Sequence, residues 1–302
     1  MSAVARIDPK DVFTAEEWAR LSPRPSWRGL MLVASAWGLI AAAAALFIVW
    51  PNPLTYVVAV MAIGARQLGL AILMHDAAHG ALHANTKVNE WVGEWLCAAP
   101  VGGRLQSYRA YHLKHHKYTE QPEDPDLELS APFPITRASL MRKIVRDLTG
   151  QTFLKQRRAQ LFGGRKNGEV VNESTTHFLI VNAVLFAIAI GSGYWWAYPA
   201  LWIAPMATWL PLVTRLRNIA EHAVVNTKDD PFTHARTTLA NPLERLFIAP
   251  YWVHFHGEHH VFMHVPCYRL ERMHRMLMDK GYWSRMRIAG GYPDVLRQAA
   301  PA

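Results

Sequence analysis

The stretch LTYVVAVMAIGARQLGLAILMHDAAHG, residues 54–80, decides the fold. From Leu54 to Met74 it carries a single charge, Arg66, beside the polar Gln67. A hydrocarbon core of about 30 Å takes about 20 apolar residues in a helix, so this run is long enough to cross a bilayer. It ends directly on His75-Asp76-Ala77-Ala78-His79. Two imidazoles four residues apart share one helical face. An apolar span therefore delivers a pair of metal-capable side chains to its polar end.

Working outward, Leu30–Trp50 is uncharged, and Pro51-Asn52-Pro53 must turn the chain into the run just described. Much later Phe178–Ile190 is apolar, Gly191-Ser192-Gly193 makes a second turn, and Tyr194–Val213 is again uncharged. The expected architecture is all-α: an integral membrane protein with four transmembrane helices in two hairpins. The spans fall at about 30–50, 54–74, 176–190 and 194–213. The third is the weak one, because its apolar part is short and must begin in polar sequence. Residues 75–175 and 214–302 would form a helical cytosolic cap, and the whole chain a single domain. Trp91–Val101 and Leu243–Phe255 are apolar but too short to span, and suit an interfacial position. Twelve tryptophans and ten tyrosines also suit membrane–water interfaces, where the ring is buried and the polar tip stays wet.

The formal net charge is +9, and its distribution carries the topology. Of the lysines and arginines, five lie in residues 1–29, fourteen in 75–177 and twelve in 214–302; the two hairpin turns hold none. The positive-inside rule puts both termini and the cap in the cytoplasm, so no nucleic-acid partner is needed to explain the basic pI. The polar, acid-containing first residues do not read as a signal peptide. Cys97 and Cys267 match no metal spacing and no disulfide framework; they read as small buried hydrophobes.

The fifteen histidines are clustered. After His75 and His79 come His112-Leu113-Lys114-His115-His116, then Asn218-Ile219-Ala220-Glu221-His222, then His256-Gly257-Glu258-His259-His260. Spacings of i, i+3 and i+4 place imidazoles on one face, and imidazole ligates iron, zinc or copper at neutral pH. Nine histidines exceed one metal and suit two. Asn218, one turn before His222, could hold a water at an open coordination position. His83 continues the face of His75 and His79 but is read as a non-ligand. His177, His234, His254, His264 and His274 lack partners at ligand spacing and are read as structural.

HDAAH, HLKHH and HGEHH resemble the three histidine boxes of the membrane fatty acid desaturase family. The resemblance runs from about Leu54 to Met278 and includes the order box, box, two spans, box. YRAYHLKHHKYTEQPEDPDL and NPLERLFIAPYWVHFHGEHHVFMHVPCYRLERMHRML look like bacterial members, and RNIAEH looks like the element that supplies the ninth histidine. The resemblance implies a four-helix stem and a cap holding two non-haem irons, with O2 as co-substrate. It implies an enzyme that introduces a double bond into a fatty acyl chain of a lipid, in a bacterial inner membrane with the active site on the cytoplasmic side. The alternative is a diiron hydroxylase or ketolase acting on a lipid or carotenoid, since related enzymes use similar boxes. His254 stands where the family more often has asparagine. No haem-binding HPGG is present, so electrons are expected from a separate donor of ferredoxin, rubredoxin or cytochrome b5 type.

Metal-bound imidazoles usually give their second nitrogen to a carboxylate or carbonyl. Asp76, Glu221, Glu258, Asp124 and Asp126 are placed to receive it, although Asp124 and Asp126 equally read as a turn in EDPD. Arg66 and Gln67 are costly inside a span unless they face the protein interior or a cavity. They are read as lining a substrate tunnel or pairing with the cap. A metal transporter is the competing class, but it would place its ligands near the bilayer midplane; here every candidate ligand lies outside the spans.

Overall fold

The computed structural model describes residues 3–22, 26–166, 169–171, 175–225 and 230–301. The helices run in the order α1 (Ala15–Leu21), α2 (Ser26–Val49), α3 (Pro53–Ala78), α4 (Thr86–Val92), α5 (Ala99–Val101), α6 (Leu105–Tyr118), α7 (Leu127–Ser130), α8 (Arg137–Leu148) and α9 (Gln151–Phe162). They continue with α10 (Thr176–Gly191), α11 (Ala204–Ala207), α12 (Trp209–His222), α13 (Pro242–Phe247), α14 (His256–Val261), α15 (Leu270–Asp279) and α16 (Tyr292–Ala299). The fold is mainly helical, but it is not strictly all-α. Strands β1 (Gly164–Lys166) and β2 (Glu169–Val171) pair antiparallel, and β3 (Arg236–Thr238) and β4 (Arg287–Ala289) pair parallel. The second pair matters to the site: Thr237 bridges to Phe255, and Thr238 N–H donates to the His254 carbonyl at 2.8 Å, which sets the chain up for α14.

The turn between α2 and α3 follows from Pro51-Asn52-Pro53. Asn52 caps α3, its side chain accepting from the amides of Leu54 (3.0 Å) and Thr55 (3.1 Å), while Pro53 occupies the first helical turn where no N–H is needed. On α2, Val33, Ala36, Ile40 and Ala43 repeat at helical spacing and are buried, whereas Leu30, Met31, Leu39 and Val49 are exposed. A helix apolar all round but buried on one stripe leaves the rest as an exposed apolar face. By length and composition, α2 and α3 are the two helices among the described residues able to cross a membrane.

The second hairpin differs from the four straight spans expected. The helix α10 is apolar but has only 16 residues. The run after it is broken: a π-helical stretch, Tyr198–Ile203, leads into α11, and Thr208 interrupts before α12. Pro199, Pro205 and Pro211 supply the reason, since each lacks an N–H and crowds the carbonyl four residues back. The buried Asn182 ties α10 to this segment, its side-chain oxygen accepting from Trp202 Nε1 (2.8 Å) and Tyr198 O–H (3.1 Å). The segment does not stop where the apolar run ends; α12 continues into the cap and finishes on His222.

Glycines on α3 allow close packing. A Cβ on Gly64 would lie 2.7 Å from the Trp209 Cβ, and one on Gly69 would lie 2.6 Å from the Tyr251 ring. Arg66 and Gln67 between them are both buried. Arg66 donates to the Leu246 carbonyl at 2.8 Å and Gln67 to the Trp202 carbonyl at 2.9 Å. Arg66 thus pairs with the cap, and Gln67 with the broken segment.

Candidate metal centre

Four elements carry the nine histidines. The apolar helix α3 continues unbroken into the cap, bringing His75 and its C-cap residue His79. His112, His115 and His116 lie on α6, His222 ends α12, and α14 begins on His256 and carries His259 and His260. The fold gathers all nine into two groups. His75, His79, His112, His116 and His259 form one; His115, His222, His256 and His260 form the other, with the nitrogens of each group within 4.8 Å of one another. In both H-x-x-H-H boxes the i, i+4 pair stays together while the i+3 histidine crosses to the opposite group. The spacing alone puts all three on one face; the roughly 100° between the i+3 and i+4 positions on a helix is enough to aim them at two centres.

The nitrogens converge in a way hydrogen bonding cannot satisfy. His116 Nε2 lies 2.9 Å from His112 Nε2 and 3.0 Å from His259 Nε2. His256 Nε2 lies 3.0 Å from both His222 Nε2 and His260 Nε2. One imidazole nitrogen carries a single proton or a single lone pair, so it cannot bond two such neighbours. The buried His75 Nε2 has no hydrogen-bond partner among the described residues. Two nitrogens each ~2.1 Å from one ion at right angles stand roughly 3 Å apart, so lone pairs directed at a common cation fit this arrangement. An all-imidazole donor set accepts iron among the first-row metals.

Protonation favours the same reading. Burial, helped by the neighbouring imidazoles, pushes His112, His116, His256, His259 and His260 well below the ordinary histidine range. Burial and the charge of His115 do the same to His222. These rings are neutral, with lone pairs available. His115 is the exception: burial opposes its charged form, but the hydrogen bond and charge of Asp124 outweigh burial and raise it.

The orienting groups are only partly those the sequence nominated. His115 Nδ1 donates to Asp124 Oδ1 at 2.8 Å, with Asp126 farther off at 3.7 Å. Asp124 also closes the EDPD turn by accepting from the Glu120 and Asp126 amides, both at 2.8 Å; turn and site are one device. Glu221 lies 3.3 Å from His256 Nδ1 and also holds the half-buried Arg217. Its own pKa is pushed up to about 7 by burial, against the pull of Arg217. Asp76 is a correction. At 3.6 Å from His75 Nδ1 it is beyond hydrogen-bond range, and it accepts instead from the Cys267 amide at 2.9 Å. Glu258 is another: its carboxylate takes His274 Nδ1 and the Thr237 hydroxyl, because the third residue of a box points away from the face of its first and last. The sequence reading missed the His234 carbonyl, which accepts from His222 Nδ1 at 3.1 Å, and Glu120, 3.7 Å from the same nitrogen. A main-chain acceptor leaves no residue-type signal; Glu120, four residues beyond His116, could have been flagged by proximity to the box.

Asn218 belongs to neither group. It lines a cavity of about 140 Å³ together with Tyr108, Tyr111, Arg217, His115 and His222. Among the remaining histidines, His83 accepts from the Asn85 amide at 2.9 Å. His177 bonds Glu94 and packs on Trp95, and His274 bonds Glu258. His254, His234 and His264 also stand outside both groups. Cys97 and Cys267 are free and buried, and burial pushes both thiols up.

The sequence model of the fatty acid desaturase family matches residues 51–290, which include all nine clustered histidines. The chain is also similar to dihydrorhizobitoxine desaturase of Bradyrhizobium elkanii, at 28% identity over 89% of this chain and 83% of that protein. With its apolar helices and convergent histidines, the chain belongs to the fatty acid desaturase family, as a membrane-type member.

Proposed function

We propose that the chain is an O2-dependent diiron desaturase that introduces a double bond into the fatty acyl chain of a lipid. Family membership carries the coarser statement, an oxidoreductase of desaturase type. The observation that supports the finer one is the pair of buried imidazole groups, five and four, with no carboxylate in either. His75, His79, His112, His116 and His259 would hold one iron, and His115, His222, His256 and His260 the other. Iron bound there supplies, with O2, the oxidising power to remove hydrogen from an unactivated C–H bond.

The chain's own residues position and insulate that chemistry. Burial favours the neutral, ligating form of His112, His116, His222, His256, His259 and His260. Asp124 and the His234 carbonyl hold His115 and His222 in the tautomer that turns Nε2 inward. Asn218 is proposed to hold a water beside the group containing His222, with which it shares a cavity wall. O2 is reduced to two waters by two electrons from the substrate C–H bonds and two from a separate donor of ferredoxin, rubredoxin or cytochrome b5 type. The protein is proposed to sit in a bacterial inner membrane with four spans, both termini and the metal centre in the cytoplasm. The distribution of lysine and arginine supports that orientation.

One observation favours a second reading of the substrate. The relative from Bradyrhizobium elkanii is named for dihydrorhizobitoxine, so oxidation of a different small molecule is the alternative, as is hydroxylation of a lipid or carotenoid. Expression in a host with saturated and monounsaturated lipids, followed by mass analysis under labelled O2, separates these. Acyl chains that lose two hydrogens and gain no oxygen support desaturation. Incorporation of labelled oxygen overturns it in favour of hydroxylation.

A further inference from the structure

Arg66 is a charged group buried to 7% exposure in one of the two helices long and apolar enough to cross a membrane, and the metal chemistry does not use it. Its surroundings are built to hold it. Gly69 leaves room for the Tyr251 ring, which lies beneath the guanidinium at 5.4 Å. The Tyr251 hydroxyl donates to the Leu32 carbonyl at 3.2 Å. Tyr251 and Trp252 both adopt left-handed backbone, φ 53° and 58°, a conformation that persists only where surrounding contacts impose it. Trp209 Nε1 donates to the Phe247 carbonyl at 2.9 Å and pins α13 against the apolar helices.

Between α2, α3 and α13 these contacts leave a cleft of about 340 Å³ whose walls include the side chains of both Arg66 and Arg245. Among the described residues, none of those that line it is acidic. The Glu244 carboxylate, beside Arg245 in the chain, is committed elsewhere, accepting from the Asn241 (2.9 Å) and Tyr292 (3.1 Å) amides, and Glu271 accepts from the Trp252 indole N–H (3.0 Å). Arg66 has a carbonyl and a ring face, and Arg245 has no ion pair among the described residues. Arg66 is buried, and a buried guanidinium without a counter-charge is costly unless an anion joins it; Arg245, exposed at the same cleft, adds a second cation for that anion. The remaining walls are mainly apolar, Leu32, Leu246 and Trp252 among them, and Leu243 and Leu246 on α13 stand exposed at 68% and 43%. An anion here would carry a hydrocarbon tail.

We propose that this cleft binds the phosphate head group of an anionic membrane lipid, with Arg66 and Arg245 as its cationic wall. Guanidinium forks match phosphate oxygens in pairs, and the apolar rim takes the first carbons of the acyl chains. The test uses the full chain, purified and delipidated, then returned to nanodiscs of phosphatidylglycerol or phosphatidylcholine and read by native mass spectrometry. The expected result is one tightly retained phosphatidylglycerol per chain, with phosphatidylcholine retained roughly ten-fold less, the scale of one charge-assisted hydrogen bond. Arg245→Gln, at an exposed position, and Arg66→Lys should each weaken that retention while iron content stays unchanged. Equal retention of the two lipids, retention indifferent to Arg245→Gln, or displacement by inorganic phosphate alone at equal concentration would each overturn the proposal.

Discussion

His115 and His116 are consecutive on one helix and belong to different imidazole groups: His116 Nε2 faces His112 and His259, while His115 Nε2 faces His260 at 3.3 Å. Adjacent residues on a helix point about 100° apart, so a short helix can serve two metals at once. The two imidazole groups are therefore coupled through the backbone of α6, and again through His259 and His260 on α14.

Iron content should distinguish the two neighbours. The intact protein is expected to carry two irons per chain. His115→Ala should deplete the site shared with His222, His256 and His260, and His116→Ala the other. Elemental analysis with Mössbauer spectroscopy would show loss of a different component in each variant. Full iron in either variant, or one iron in the intact protein, contradicts the assignment.

Orientation of His115 by Asp124 should appear in affinity. Asp124→Asn keeps the shape and removes the charge that raises His115. Iron affinity should fall by about 10- to 100-fold, the usual effect of removing a partner that orients a ligand, measured by competition with a chelator. Glu258→Gln is the contrast. It disturbs His274 and Thr237 rather than a clustered histidine, so it should lower stability by roughly 1–3 kcal/mol with iron retained.

Acid should destabilise the metal-free protein. Six clustered imidazoles are held well below the ordinary range. Below about pH 6.5 the unfolded chain takes up protons there that the folded chain resists, so stability falls as pH falls. His115 acts oppositely: its raised pKa adds stability below that pH, lost as pH rises through its folded value. Glu221, raised to about 7, acts with His115, while His75 and His254 are lowered with the six, and the lowered imidazoles outnumber the opposing pair and set the sign. Thermal melts of apoprotein between pH 5 and pH 8 should show higher midpoints at the alkaline end; a flat or inverted profile argues against buried neutral imidazoles.

Close packing on α3 should make Gly69 intolerant. A Cβ there meets the Tyr251 ring at 2.6 Å, so Gly69→Ala should cost about 1–3 kcal/mol. The melting temperature in detergent is the measure, and an unchanged value means the ring has room to move.

Topology is open to cysteine labelling. Native Cys97 and Cys267 are buried, so Asn52→Cys and Ser192→Cys should be the labelled positions in each variant. Both are expected to react with a membrane-impermeant maleimide from the side opposite the termini. Labelling of Ser192→Cys from the cytoplasmic side would remove the second hairpin from the membrane.

Much of the centre is legible along the chain because its geometry is local. Imidazoles at i, i+3 and i+4 mark helices that can present ligands, and an apolar run ending on HDAAH shows where the first of them emerges. The nine histidines selected in this way are the nine that the fold brings together. Composition also indicates where the backbone breaks, through prolines that an apolar count passes over. Pro199, Pro205 and Pro211 were visible, and the segment they interrupt is a π-helical stretch and two helices rather than one straight span.

Tertiary structure alone decided how the histidines divide between two centres and which groups orient them. His116 joins His259 from 143 residues away, and the partner of His222 is a main-chain carbonyl; neither has a local pattern. Asp76 and Glu258 sit inside boxes yet turn to Cys267 and His274, since a carboxylate's partner is set by what packs against its own side of the helix. Periodicity reports which face a residue occupies. What that face meets depends on contacts between segments far apart in the chain, and those exist only once the helices have packed.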